Sequence, residues 1–379
     1  MVNIMEFQPY AIVNGKKMRR GFTTGSCAAA ASKAATMMLI ENRDIHSIEI
    51  DTPRGWRITL PIQQIERSSN AVKCCVVKDG GDDPDATHGI HIYASARLID
   101  KEGIVIRAGE GIGTVTRPGL QVEVGQPAVN PVPRQMILKE VGEVLPKGKG
   151  VEITLSIPEG VEVAKKTFNP RLGISGGISI LGTSGIVEPM SEEAWRESLA
   201  LELSMLAAAG HKNVVLVPGN YGEQLAIKSL HIHKDIIVRT SNFIGYMLEK
   251  CVEYGFEKVL LIGHLGKLVK VAAGIFYTHS HMADARAEIM TAYAAAQGAD
   301  WDTVKELLNS NTTEEAVQLL EQAGITGIYG MIARRVGERC RQKSGCKLQV
   351  GTVIFTLEKG ILAMDDTAKS ILQELKQCE

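Results

Sequence analysis

The feature that most constrains the fold lies in the second half of the chain, where short apolar runs alternate with helical patterns. Val214 to Val217 runs into P-G-N-Y-G and a helix, Ile236 to Val238 into R-T-S-N and a helix, and Val259 to Ile262 into G-H-L-G-K and a helix. The alternation of strand and helix is the βαβ signature, so a parallel, doubly wound sheet is expected. Such sheets bind ligands at their carboxyl edge. Gly219, Asn220, Gly222 and Gly263, in the turns after two of the strands, are the cofactor contacts expected there. Neither turn is a full G-x-G-x-x-G or a Walker loop, and the strand ending R-T-S lacks the acid that would hold a ribose, which argues against a standard dinucleotide site.

A second constraint is the glycine-rich stretch Gly173 to Pro189, which separates this half from an unlike one. Its apolar centre, Ile178 to Leu181, reads as a single strand between glycines that permit positive φ or close approach of a ligand. Ser191 then opens a helix with Glu192 and Glu193 in its first turn and Trp195, Leu199, Leu203 and Leu206 on one face. A glycine-rich turn feeding a helix N-terminus is an anion or cofactor seat, or else a junction whose glycines serve only tight turns. On the first reading Gly182, Thr183, Ser184 and Gly185 contact the cofactor. The domains expected are 1–180 and 181–379.

In the first half, residues 20–41 begin with a hydroxyl-rich turn and continue as an Ala-rich helix capped by Ser26 or Thr24. Its N-terminal amides could hold an anion with Arg20, Thr23 and Thr24, or its small residues could simply admit close packing. Ile48 to Asp51, Trp56 to Ile65, Val72 to Lys78 and Ile90 to Ile99 read as strands of an antiparallel or mixed sheet with that helix on one face. Asp79 to Asp85, D-G-G-D-D-P-D, precedes His88 and His91 but does not fit the calcium-loop order. A solvated turn, a ligand-orienting loop in which Asp82 and Asp83 face substrate, and a metal loop remain open. Gly109 to Pro133 reads as irregular, with Pro133 opening a helix, and Val151 to Ile157 as a half-buried strand. Lys165, Lys166 and Arg171 face an acidic ligand or form a solvated basic edge.

T-H-S-H-M-A-D-A-R, Thr278 to Arg286, heads another helix. His279, His281 and Asp284 could ligate a metal, as in a metal-dependent hydrolase, cap the helix, or orient a polar ligand and move protons, and we expect the last. Helices follow, including one starting at Thr312, until Val350 to Leu357 and Ile361 to Met364 supply two late strands. With 42 Lys+Arg against 43 Asp+Glu in 379 residues, the chain has no overall footprint for nucleic acid or a membrane surface. The N-terminus lacks signal-peptide order, and no apolar run is long enough to span a bilayer, so a cytoplasmic location is expected. Seven cysteines without C-x-x-C point to buried thiols rather than disulfides or zinc.

Three long motifs in order, R-G-F-T-T-G-S-C-A-A-A-A, D-G-G-D-D-P-D and N-P-R-L-G-I-S-G-G-I-S-I-L-G-T-S-G-I-V-E-P, resemble the CbiD family, the cobalt-precorrin-5B carbon-1 methyltransferases of anaerobic cobalamin synthesis. Phe22 and Ser26 stand where tyrosine and threonine are frequent in that family. The resemblance implies an α+β first domain like the second domain of ribosomal protein S5, a Rossmann-like α/β second domain, S-adenosyl-L-methionine as cofactor and a cobalt-precorrin as substrate. Arg20, Arg171 and Arg286, with Lys165, Lys166 and Lys267, are available for the ring's carboxylates, and cobalt arrives with the substrate. A non-catalytic tetrapyrrole carrier is the other alternative. A homo-oligomer and hand-over of product to other enzymes of the pathway remain open.

Overall fold

A computed structural model describes residues 5–377; the first four residues of the N-terminal segment read for a signal peptide, and Cys378, lie outside the described residues. The chain divides into two compact units, Met1–Glu192 and Glu193–Glu379, and the turn Gly182–Gly185 lies in the first. The fold is mixed α/β with parallel strands in its sheets. Among the described residues no helix is long and apolar enough to cross a membrane.

Unit 1 is organised around the Ala-rich helix. Its elements in order are β1 (Gly21–Phe22), α1 (Thr24–Glu41), β2 (Ser47–Asp51), β3 (Trp56–Pro61), β4 (Gln63–Arg67), β5 (Ala71–Val77), β6 (His91–Ile99), β7 (Gly103–Ala108), α2 (Pro131–Val144), β8 (Gly150–Ser156) and β9 (Ile186–Val187), with shorter pieces between. Five strands form one sheet in the order β7-β8-β6-β5-β4, parallel only between β7 and β8, so the mixed sheet anticipated from the strand pattern is present. The small side chains Ala28, Ala29, Ala30, Ala31, Ala34 and Ala35 are all buried, letting α1 lie close to β5, β6 and α2. A Cβ on Gly25 would stand 2.8 Å from Pro133 Cγ, which measures how near α2 approaches. That helix starts at Pro131 rather than Pro133, both prolines falling in the first turn, where no N–H is needed.

Two local readings change. Thr23, not Ser26 or Thr24, caps α1, with extended backbone (φ −74°, ψ 162°) and Oγ1 accepting from Ser26 N at 3.2 Å. Ile178 to Leu181 is not a strand. Only single bridges occur there, Ile178 to Ile112 and Ile180 to Val129, because the buried residues Ile178 to Ile180 meet a different segment at each bridge while neighbouring glycines bend the chain away from a ladder.

In unit 2, α3 (Glu192–Ala208) leads into β10 (Asn213–Val217), α4 (Asn220–Lys228), β11 (Ile237–Arg239), α5 (Ile244–Glu253), β12 (Lys258–His264) and α6 (Leu265–Ala272). Then come α7 (Arg286–Ala296), α8 (Trp301–Leu308), α9 (Thr313–Gln322), α10 (Ile328–Lys343), β13 (Gln349–Thr356), β14 (Gly360–Met364) and α11 (Asp366–Gln377). The sheet order is β11-β10-β12-β13-β14, parallel except for β14 at its edge. Val259 and Leu261 of β12 pack into a core with α3, α5, α6, α7 and α10, while Leu260 and Ile262 face α4 and α11. That two-sided burial is why β12 is a continuous apolar run. On α3, Leu199, Leu203 and Leu206 are buried, whereas Trp195 is 46% exposed. Of the described cysteines, Cys27, Cys74, Cys75, Cys251 and Cys340 are buried and Cys346 is exposed. Burial pushes the Cys27, Cys74 and Cys340 thiols up to about 12, which keeps them inert.

Candidate functional site

The parallel sheet of unit 2 has a switch point, since the chain leaves β10 for β11 on one side and returns to β12 on the other. The crevice outside the carboxyl ends of β10 and β12 is where such a sheet offers room for a ligand. Pro218 and Gly219 follow β10 there, and His264 closes β12 and caps α6, its Nδ1 accepting from Gly266 N at 3.1 Å. With Nδ1 accepting, the ring proton sits on Nε2, which faces Glu314 Oε1 at 3.0 Å. Glu314 also accepts from the Thr313 hydroxyl at 3.0 Å. Burial would raise the Glu314 carboxyl, but hydrogen bonds from backbone and Thr313 together with His264 hold it below its ordinary value.

Lys267, in the first turn of α6, donates to Pro218 O at 3.3 Å and so ties the two strand-end loops together. One turn on, Lys270 is 3% exposed and donates to Ala283 O at 2.8 Å and Thr278 O at 3.3 Å. Burial lowers the pKa of both lysines, and for Lys267 the neighbouring Lys270 lowers it further. Asp284 accepts from both arms of Arg286, at 2.6 and 2.8 Å, which holds its carboxyl below the usual range. His264, Lys267, Lys270, Arg286, Thr313 and Glu314, with Asn242, Thr278, His279 and Ser280, line a cavity of about 580 Å³, and Asp284 lies on the neighbouring one. A neighbouring cavity of about 230 Å³ shares Arg286 and Thr313 with it.

The two segments singled out in this half, G-H-L-G-K and T-H-S-H-M-A-D-A-R, therefore meet at one cavity. His279 lines it, whereas His281 is exposed and donates its backbone N–H to His279 Nδ1 at 3.2 Å. Among the described residues, ligand atoms of His279, His281 and Asp284 do not converge as a metal site would require; the group that does is Asp51, Glu140 and Glu143 in unit 1. Those three carboxylates are ion-paired with Lys33, Lys139 and Arg57.

The glycines divide by function. Gly219 is extended, with open space where a Cβ would be, and Asn220 beside it is exposed. A Cβ on Gly222 would meet Ile262 O at 3.0 Å, and one on Gly263 would meet Leu268 Cγ at 2.7 Å, so these two serve helix-on-strand packing. Replacing Gly222 with valine would crowd α4 against Ile262 and Val217 of the sheet. Arg239, at the end of β11, is ion-paired with Glu223 of α4. His264, Lys270, Asn242 and Glu314 escaped sequence reasoning. The signal was present in L-G-K-L-V-K-V-A, where two lysines three residues apart interrupt an otherwise apolar helix.

The candidates of unit 1 lie in a different environment. Thr23 and Thr24 are buried. The backbone N–H of Thr23 donates to Gly185 O and that of Gly25 to Leu181 O, while the Ser26 hydroxyl donates to Gly185 O at 2.6 Å. Arg20 Nε donates to both oxygens of Glu188, at 2.9 and 2.8 Å, and the same carboxylate pairs with Arg54. Asp82 accepts from Arg19 N at 2.6 Å and Asp83 from Met190 N at 2.8 Å, so the acidic loop stitches backbone segments together. Arg171 is half-buried in the turn before Gly173. The Ser184 hydroxyl turns onto Ile186 of its own loop, and Thr183 is exposed.

Comparison with known proteins decides the family. The family profile described as CbiD matches residues 11–189, and the one described as CbiD, C-terminal domain, matches residues 277–366. The chain belongs to the CbiD family. Among its relatives, the cobalt-precorrin-5B C(1)-methyltransferase of Thermoanaerobacter sp. (strain X514) is 58% identical over 93% of this chain and 97% of its own. That of Alkaliphilus metalliredigens (strain QYMF) is 52% identical over 97% of both chains. A crystal structure of the cobalamin biosynthesis protein cbiD from Archaeoglobus fulgidus is 28% identical, covering 73% of this chain and 88% of that one, with a TM-score of 0.39. In this CbiD chain, His279, Asp284, Arg286, Thr313 and Glu314 fall inside the matched C-terminal range, and Lys267 and Lys270 just before it.

Proposed function

We propose that this CbiD chain is a methyltransferase that moves the methyl group of S-adenosylmethionine to carbon 1 of cobalt-precorrin-5B, giving cobalt-precorrin-6A on the anaerobic route to cobalamin. The observation that carries this reading is identity of 58% and 52% to proteins of that activity over nearly the full length of both partners. Unit 1 is read as the S5-like α+β domain and unit 2 as the Rossmann-like one, with the cofactor at the carboxyl edge of its sheet.

The residues at that edge fit S-adenosylmethionine. Gly219 leaves open space beside the N-terminus of α4, and the cavity lined by Lys267 and Lys270 offers positive charge to a carboxylate. When bound, the cofactor supplies a methyl group on a positively charged sulfur. The chain's own task is to align donor and acceptor for an in-line displacement and to keep water out. His264 and Glu314 hold the entry to α6 in place through the ring's two nitrogens. His279 Nε2 makes no hydrogen bond among the described residues, and we assign it to orienting substrate or moving a proton, with Asp284 fixing Arg286 beside it. Arg286 serves the substrate's carboxylates, and cobalt enters as part of the substrate.

The test is incubation with cobalt-precorrin-5B and S-adenosylmethionine, followed by mass spectrometry of the corrinoid. A gain of one methyl is the expected result. Binding with unchanged mass would make the chain a tetrapyrrole carrier instead.

A further inference from the structure

The cavity at the carboxyl edge carries a charge imbalance that its own side chains leave uncorrected. Lys267 and Lys270 stand three residues apart on α6, which places both on one face of the helix. Lys270 is held by two backbone carbonyls, with the nearest Asp284 oxygen 4.0 Å away. Lys267 reaches Pro218 O, and among the described residues no carboxylate lies within ion-pair distance of it. Glu314, which lines the cavity, is engaged by His264 and Thr313, and Asp284, which lines the neighbouring one, by both arms of Arg286. Three cations, Lys267, Lys270 and Arg286, line about 580 Å³ of space with one carboxylate, Glu314, and a second, Asp284, stands behind Arg286 outside the lining.

Burying ammonium groups without counter-charge is costly, and the lowered pKa of both lysines reports that cost. A fold keeps such an arrangement where a ligand brings the missing charge. We propose that Lys267 and Lys270 form a carboxylate-binding subsite that receives one carboxylate of a ligand entering this cavity. The net excess of one positive charge matches a single carboxylate rather than a dianionic phosphate. This rests on the methyltransferase reading for its two sources, the amino-acid carboxylate of the cofactor and an acetate or propionate arm of the tetrapyrrole.

The test uses the full chain and its Lys267→Gln and Lys267→Arg variants. Affinity for S-adenosylhomocysteine is measured by calorimetry and affinity for cobalt-precorrin-5B by absorbance titration, with thermal melts as the folding control. Lys267→Gln is expected to weaken one of the two ligands about tenfold, with Lys267→Arg recovering most of it. Loss confined to S-adenosylhomocysteine identifies the cofactor carboxylate, and loss confined to the precorrin identifies a substrate arm. Unchanged affinity for both in folded Lys267→Gln, or no binding of either by the wild type, overturns the subsite. Should Lys267→Gln not fold, the wild type decides. Affinity falling as pH rises toward the ordinary lysine pKa of about 10 supports the subsite, and a flat profile overturns it. Failure of the methyltransferase reading looks different, since the wild type would bind both ligands and transfer no methyl.

Discussion

Two helix starts in this molecule looked alike in sequence and differ in structure. At the start of α1, in unit 1, every polar group singled out has a protein partner: Thr23 and Gly25 amides go to carbonyls of the Leu181–Gly185 loop, and Arg20 goes to Glu188. At the start of α6, in unit 2, Lys267 has no carboxylate within ion-pair distance among the described residues, and Lys270 has only Asp284 at 4.0 Å, beside an open cavity. Full satisfaction is what a scaffold requires, because an unpartnered buried group would destabilise it. Imbalance next to a cavity is what a binding site requires, because the ligand completes it. The difference separates a glycine-rich clamp from a place where chemistry can be arranged.

The most damaging way to probe the comparison is Gly182→Val. Gly182 sits at φ +125°, and a Cβ there would lie 2.5 Å from the Thr23 Cβ. We expect a loss of about 3 kcal/mol or more in unfolding free energy, measured by denaturant titration. Gly185, at φ +81° with a Cβ site 2.9 Å from the Ser26 hydroxyl oxygen, behaves similarly. A fully stable Gly182→Val variant would show that the loop is not the clamp described.

The smallest effect has the opposite sign. Lys267→Met removes a charge that burial disfavours, so the melting temperature at neutral pH should rise, by about 2 °C, while ligand binding falls. Linkage gives the pH dependence. Because the folded state holds this proton less tightly than the unfolded state, wild-type stability gains from Lys267 as pH rises from its lowered pKa to the unfolded lysine value. The variant should lack that alkaline gain, which melts across alkaline pH would reveal.

The sequence made the second unit's architecture legible because two-sided burial writes itself as apolar runs, and V-L-L-I-G leaves little alternative to a central parallel strand. Legible too was that the turns P-G-N-Y-G and G-H-L-G-K share one edge, since β-sheet topology fixes where parallel strands end, whereas the arrival of T-H-S-H-M-A-D-A-R at the same cavity was not. What stayed hidden depends on partners far apart in the chain. Nothing in R-G-F-T-T-G announces that Arg20 meets Glu188, 168 residues away. The glycines of Gly173–Pro189 look the same whether they face a ligand or the start of a helix. Gly222 and Gly263 likewise required knowledge of Ile262 O and Leu268 across the packing interface. The strand expected at Ile178–Leu181 failed because buried apolar residues can be anchored by single bridges without a ladder.

The most direct test compares one arginine from each region, Arg20→Gln and Arg286→Gln, by kcat/KM for methyl transfer and by melting temperature on the same preparations. Arg20 is bound to Glu188 within the clamp, and Arg286 lines the cavity. We predict that Arg20→Gln lowers the melting temperature while the folded fraction keeps kcat/KM within about twofold. Arg286→Gln should lower kcat/KM about tenfold, near 1.4 kcal/mol, with little change in melting temperature. The reverse pattern, with activity lost in Arg20→Gln and retained in Arg286→Gln, would contradict the assignment of scaffold to unit 1 and site to unit 2.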